Sequence, residues 1–265
     1  MKRLFTLIIA AILMFSGSQL FAQTNFYLNL SGAIPTGDFA DCHNDDGFAL
    51  IDQGLKEGGA GLGFNVGLKM KYGIGIKGLG IITTIDGIYN GLNSNARDCI
   101  KDLENSFHKW DYVSITTPKY INIPIMAGIN YTYNFNSMLG AYGEVASGLN
   151  FRFVTNHKIV LRDESVSHDY AASGKAEKRW VYKYQPSANF VWQIGGGLVL
   201  SNRFTIGLNY YHIGYAQVKA KITYKSSSSV TYPGNHVNHN ENETNNFNGK
   251  KVSPSLIMVR FGYKF

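Results

Sequence analysis

The sequence predicts an all-β protein: an eight-stranded antiparallel up-and-down transmembrane β-barrel with short periplasmic turns and four long outer loops. Three observations lead there. The 265 residues are 45% hydrophobic and only 16% charged, with 29 Gly, 16 Phe and 17 Tyr against 6 Pro, a mix that favours many short strands with close backbone approaches. Eight segments alternate an apolar face with a polar or glycine face, each near the roughly 9–11 residues a tilted strand needs to cross a bilayer. The connections between them alternate short and long, as in barrels with an even strand count and both termini on one side. A mean hydropathy of −0.12, with no run of about 18 apolar residues beyond the N-terminus, excludes a helical multi-span membrane protein.

Residues 1–22 read as a signal peptide. Lys2 and Arg3 give a positive start, residues 4–15 an apolar stretch, and Ala22 a small residue before Gln23, the layout that export peptidases cut; Ser18 is the alternative end. Residues 23–265 then form one barrel domain with no linker. Cys42 lies too far from the apolar stretch to be lipidated there, so the mature protein is expected without a lipid anchor. Losing Lys2 and Arg3 takes the net charge from +7 to +5.

The first strand sets Phe26, Leu28 and Leu30 against Asn25, Tyr27, Asn29 and Ser31; the second sets Leu62, Phe64, Val66, Leu68 and Met70 against Gly63, Asn65, Gly67 and Lys69. The third opposes Leu79, Ile81, Thr83 and Ile85 to Gly78, Gly80, Thr84 and Asp86, and the fourth Ile121, Ile123, Ile125, Ala127, Ile129 and Tyr131 to Asn122, Pro124, Gly128 and Asn130. The fifth opposes Leu139, Ala141, Val145, Leu149 and Phe151 to Tyr142, Glu144, Asn150 and Arg152; the sixth Phe190, Trp192, Ile194 and Leu198 to Asn189, Gln193, Gly195 and Gly197. The seventh pairs Phe204, Ile206, Leu208 and Tyr210 with Thr205, Gly207, Asn209 and Tyr211; the eighth pairs Ile257, Val259, Phe261, Tyr263 and Phe265 with Met258, Arg260, Gly262 and Lys264.

Which face looks outward separates a membrane barrel from a soluble one of the lipocalin kind, whose polar face meets water. The polar faces here are mostly Gly, Asn, Ser and Thr, with few of the Lys and Glu that a water-facing sheet carries. Small uncharged residues suit a crowded lumen, and Tyr131, Tyr133, Phe135, Phe261, Tyr263 and Phe265 sit at strand ends as an aromatic girdle requires. Slipping the last strand by one residue would drive Arg260 into mid-bilayer lipid at a cost of roughly 2–4 kcal/mol, so its register is well specified.

Short turns are expected at 72–75, 134–137 and 201–203, and long segments at about 35–60, 89–117, 154–186 and 216–253. In the second long segment Ile100, Leu103 and Phe107 recur at helical spacing among Asp98, Lys101, Asp102 and Glu104, predicting a helix packed within the loop. Residues 155–161, 180–184 and 218–224 keep strand alternation, so the third and fourth segments are expected to protrude as sheet.

These features resemble the small outer-membrane β-barrel family that groups the OmpA transmembrane domain, OmpX and PorT-like proteins. The residues that carry the resemblance are Gly32, Ala33, Ile34, Pro35, Thr36, Gly37, Asp38 and Phe39 leaving the first strand, Tyr120, Ile121, Asn122, Ile123, Pro124 and Ile125 entering the fourth, and the closing run from Val259 to Phe265. Phe261, Tyr263 and Phe265 resemble the signal read by the barrel assembly machinery. The resemblance spans the mature chain and implies an outer-membrane location with both termini periplasmic and outer-membrane lipids as partners. It implies little about activity, because the fold hosts adhesins, anchors, secretion components and enzymes alike.

A pI near 9.2 invites a basic binding surface, yet the first long segment is acidic, with Asp38, Asp41, Asp45, Asp46, Asp52 and Glu57 against Lys56. Lys69, Lys71, Lys77, Arg203 and Lys264 gather near the periplasmic rim, where snorkelling to lipid headgroups is the bland reading and an anionic periplasmic partner the sharper one. No accessible basic stripe interleaved with aromatics suggests nucleic acid. Cys42 and Cys99 are the two cysteines of an exported chain and are expected to pair, adding roughly 4 kcal/mol at most in the loop-entropy model; the alternative is two separate thiols. His236 and His239 could begin a metal site but have no third ligand at fixed spacing, and the acidic loop departs from the calcium-loop pattern at His43 and Asp46. No cofactor is expected. His157, His168 and His212 are conceivable bases of a lipid-modifying enzyme, with no partner fixed by the sequence.

Inside the barrel, Glu144 and Arg260 face inward at similar heights above the turn end. They are expected to form a salt bridge that plugs the lumen, with Tyr142 assisting; alternatively each is hydrated or pairs with Lys69, Asp86 or Arg152. The leading functional expectation is a non-enzymatic, surface-exposed interaction or adhesion protein with a plugged lumen. A PorT-like component of an envelope or secretion machine comes second, then a narrow pore or an outer-membrane lipid-modifying enzyme.

Overall fold

The computed structural model describes residues 24–40, 59–107, 110–163, 173–232 and 235–265. The eight expected strands are β1 (Thr24–Thr36), β2 (Ala60–Gly73), β3 (Leu79–Leu92), β5 (Tyr120–Asn134), β6 (Leu139–Val154), β9 (Ser187–Leu200), β10 (Phe204–Ile213) and β13 (Ser255–Lys264). They close into one antiparallel barrel in the order β1-β13-β10-β9-β6-β5-β3-β2. Closure is made by the first and last strands, where Leu30 faces Phe261 and Ser31 faces Arg260 across the seam. All but β10 and β13 run to 13–16 residues, longer than a bilayer crossing needs, so their ends stand beyond the hydrocarbon on at least one side.

The pleat sorts the residues as the alternation predicts. Leu30, Phe64, Leu68, Ile129, Leu149, Phe190, Leu208 and Phe261 each point outward with more than half their surface exposed. A continuous apolar belt of this size around a soluble molecule would drive aggregation, whereas lipid solvates it without cost. The lipocalin-like alternative, which needs the apolar faces inward, is therefore set aside. Aromatics cluster where the short turns are: Phe204 packs on Tyr263, Tyr263 on Phe265, and Tyr133 on Phe135, with centroids 5.2–5.3 Å apart.

The short turns fall at 74–78, 135–138 and 201–203, so the first lies a little later than the expected 72–75. Lys71 and Tyr72 continue pairing with Ile82 and Ile81, which carries β2 on to Gly73. Gly75 and Gly78 then turn the chain with φ of 83° and 86°, a conformation that suits glycine.

Where they are described, the long segments carry regular structure. A 3-10 turn, Gly37–Phe39, ends the first strand, and the second segment holds α1 (Ser94–Ser106) and β4 (Tyr112–Thr116). The third and fourth fold as β7 (His157–Asp163), β8 (Ser173–Tyr184), β11 (Ala216–Tyr232) and β12 (Asn235–Val252). Together with β4 they make a five-stranded sheet ordered β12-β11-β8-β7-β4 beyond the end of the barrel opposite the short turns. The expected helix starts with Asn93 as its cap, the side chain accepting from the Ala96 N–H at 2.8 Å. Ala96 and Ile100 bury themselves with Phe39, Tyr120, Ile159, Leu161 and Tyr182 in a hydrophobic cap over the barrel mouth.

Candidate functional site

The inward faces carry the chemistry, and three charged positions there are each paired across the sheet with a glycine. Asp86 is in register with Gly67, Glu144 with Gly195, and Arg260 with Gly207. A Cβ at Gly67 would overlap the Asp86 carboxylate, and one at Gly195 would overlap the Asn209 amide. The glycines thus leave the volume into which long polar side chains reach across the lumen.

Glu144 and Arg260, expected to meet, do so: Arg260 Nη1 lies 3.2 Å from Glu144 Oε1. The pair is half of a four-charge cluster. Lys69 Nζ lies 2.9 Å from Glu144 Oε2, and Arg260 Nη2 lies 3.6 Å from Asp86 Oδ1. Two of the alternatives, Lys69 and Asp86, therefore join the pair instead of replacing it, while Arg152 lies outside the cluster. β6 and β13 stand three places apart in the ring, close enough to opposite for side chains to meet over the axis.

Neutral donors complete the cluster. Asn209 Nδ2 donates to Glu144 Oε1 at 3.0 Å, Asn130 Nδ2 to Glu144 Oε2 at 3.3 Å, and Asn65 Nδ2 to Asp86 Oδ1 at 3.0 Å. Tyr211 donates its hydroxyl to Asp86 Oδ2 at 2.9 Å and accepts from Arg260 Nη2. Arg260 is 0% exposed and Lys69 4%. Two cations against two carboxylates leave no net charge, and the multiple hydrogen bonds offset the desolvation that burying ions costs. Tyr142 contributes differently from expectation: its ring lies 5.1 Å from the Lys69 ammonium, a cation–π contact. Tyr211, the residue linking arginine to aspartate, gave no signal in the sequence beyond its inward phase.

Beyond the cluster the lumen holds apolar Ile88, Met126, Leu256 and Met258 together with polar Asn90, Asn122, Asn150, Arg152 and Gln193, all buried, beneath the hydrophobic cap. What this barrel interior can do is hold itself shut. Charged groups bridge it, and tightly buried apolar and amide side chains occupy the described interior beyond them.

The protruding sheet is the second candidate surface. β11 is paired on both sides, to β8 and to β12, whereas β12 ends the sheet. Residues 237–246 of that edge are exposed. Its face carries polar pairs such as Arg162 Nε to Glu177 Oε2 at 2.8 Å and Arg179 Nη2 to Glu177 Oε1 at 3.2 Å. His157 is buried at the base of the sheet, donating Nδ1–H to the Thr116 carbonyl and lying 5.3 Å from the Tyr182 ring. Burial holds its pKa below the ordinary imidazole value.

The remaining expected residues are placed as follows. Phe261 and Tyr263 point outward from β13, and Phe265, just past its end, is also exposed. Cys42, the signal peptide at 1–22 and His168 lie outside the described residues, and Cys99 is within α1 with its side chain also outside them, so the structure gives no geometry for the Cys42–Cys99 pair. His239 meets Glu241 at 3.0 Å, and among the described residues no three metal-ligating side chains converge. His212 has partners the sequence did not fix: Ser255 Oγ at 3.2 Å from Nδ1 and Ser253 Oγ at 3.5 Å from Nε2.

No protein-family model and no curated protein matches the chain. Among solved structures it is similar to a major outer membrane protein from Thermus thermophilus, with a TM-score of 0.41 and 7% identity over 91% of this chain and 99% of that one. It is also similar to OprG from Pseudomonas aeruginosa, with a TM-score of 0.39 and 12% identity over 92% and 96%. A third is Ail, the attachment invasion locus protein of Yersinia pestis, with a TM-score of 0.35 and 12% identity over 91% and 97%. Likenesses this distant carry no argument about activity; the membrane-barrel architecture rests on the closed ladder and the apolar belt.

Proposed function

We propose that the protein is a surface interaction protein of the outer membrane, its turn end and both termini periplasmic, which engages partner proteins by strand addition along β12. The observation that carries this reading is an edge that is unpaired among the described residues: 18 residues of strand, held out by a sheet whose inner strands pack on the cap. Unpaired backbone N–H and C=O groups in a row are a template for an extended segment of another chain. The clustered ions and the buried side chains of the lumen argue against a solute path, which favours the protruding region as the working part. Outer-membrane lipids would solvate the belt, and Phe261, Tyr263 and Phe265 would present the assembly signal.

Trypsin shaving of intact cells tests the reading. Cleavage within 156–183 or 219–251 means that the sheet is presented outside. Complete protection, with envelope proteins co-purifying, would overturn it in favour of a PorT-like component of an envelope or secretion machine. A lipid-modifying activity is the lesser alternative, and among the described residues His212 with Ser253 or Ser255 is the pair it would use.

A further inference from the structure

The turn end of the barrel opens into a vestibule of about 470 Å³, within the roughly 300–1,000 Å³ range of small-molecule sites. Its lining differs from an ordinary apolar pocket. Lys69, Lys71, Lys77 and Lys264 all line it, and no Asp or Glu side chain does. Two of the four are spoken for. Lys69 forms the floor and is paired upward with Glu144. Lys71 gives its ammonium protons to the Gly78 carbonyl at 3.0 Å, Asn130 Oδ1 at 2.6 Å and Thr132 Oγ1 at 2.8 Å. Those three partners are neutral, and among the described residues no carboxylate lies within ion-pair distance of it. Lys264, half-buried on β13, and Lys77, exposed in the β2–β3 turn, have no carboxylate within ion-pair distance among the described residues. Three like charges from three parts of the chain therefore face one cavity.

Like charges held together raise the electrostatic energy of the folded barrel unless an anion joins them. Thr205, Asn25 and Asn202 add neutral hydrogen-bonding groups to the same wall, and the Tyr27 ring lies 5.1 Å from the Lys69 ammonium. Lysine acts as a mobile point charge that binds phosphate oxygens without fixed bidentate geometry, and none of the lining residues is arginine, so charge density selects the ligand and a multiply charged phosphate gains most from several lysines.

We propose that this vestibule is a phosphate-binding site, with Lys71, Lys77 and Lys264 as its cationic ligands and Lys69 as its floor. The shared chemistry is a phosphate monoester or inorganic phosphate, and it has two sources: the headgroup of a lipid at the membrane interface, or a free phosphate in the aqueous compartment. Neither depends on the strand-addition reading of the outer sheet.

The test uses the full mature chain, folded in a phosphate-free maltoside detergent. Inorganic phosphate is titrated calorimetrically at low ionic strength, and separately the protein is reconstituted in nanodiscs of galactolipid containing dioleoyl phosphatidic acid, with retained lipid read by native mass spectrometry. At least one probe binds, and the double variant Lys77→Gln with Lys264→Gln weakens that binding about tenfold or more. Neither residue holds a hydrogen bond of the barrel wall through its ammonium, so the variant keeps the heat-modifiable mobility of the parent; Lys77→Gln alone, in the exposed turn, serves as a second variant with a smaller loss. Binding of inorganic phosphate identifies the free source, and retention of phosphatidic acid alone identifies the headgroup. Absence of binding by both probes, or binding that both variants leave unchanged, would overturn the proposal.

Discussion

The barrel and the sheet above it are both antiparallel β-structure, yet they treat their charges and edges in opposite ways. In the barrel every strand has two neighbours, and Lys69, Asp86, Glu144 and Arg260 meet in a buried cluster. In the sheet β12 has one neighbour, and the ions, such as Arg162 with Glu177, sit in solvent with side chains 48% and 32% exposed. The same chemistry is structural where water is excluded and nearly free to change where it is not.

The sharpest way to break the comparison is to remove one ion from the lumen. Glu144→Gln should destabilise the barrel by about 3–5 kcal/mol, because Lys69 and Arg260 are left buried without their shared anion. Adding Arg260→Met should cost clearly less than the sum of the single changes. Urea unfolding in detergent micelles measures both, and additive losses would show that the cluster is not coupled. Next in size is Gly67→Ala, whose new methyl must displace the Asp86 carboxylate; overpacking of this kind costs about 1–3 kcal/mol.

The sheet should respond to mild acid, before the carboxylates of the barrel cluster are protonated. His157 is held neutral by burial, so below about pH 6.5, the ordinary imidazole value, the unfolded segment binds a proton that the folded one excludes. Stability present above that pH is then lost as pH falls toward the depressed folded value. Fluorescence of Trp180, which packs on Tyr224 at 5.0 Å, should report loosening as the pH falls below about 6.5 while heat-modifiable mobility persists. His157→Gln should flatten the response, and an unchanged response in that variant would place the acid sensitivity elsewhere. The smallest effect belongs to Arg162→Ala, which should shift stability by under about 1 kcal/mol, as exposed ion pairs usually do.

The barrel was legible because lipid imposes a strict period of two: each of the eight strands shows it, and the phase of Arg260 alone fixes the last register. What escaped followed from weaker constraints. β12, rich in Asn and Glu at 238–246, has low strand propensity and no buried face to force alternation; it is strand because β11 pairs with it over 16 positions. β4 is five residues long, too short for periodicity to register. Ile82, Met126 and Met258 point inward among polar neighbours, where a reading by polarity expects small or polar groups. In the lumen, phase and height brought Glu144 and Arg260 together, but neither could reveal that Asp86, Lys69 and Tyr211 converge on the same point, since that depends on barrel curvature and on the glycines of neighbouring strands.

The most direct test of a closed barrel beneath a working surface is ion conductance of the mature protein in planar bilayers. The account predicts no steady current in the parent protein at neutral pH. A steady conductance there would mean that the lumen is open, and would move the function from the sheet to the pore.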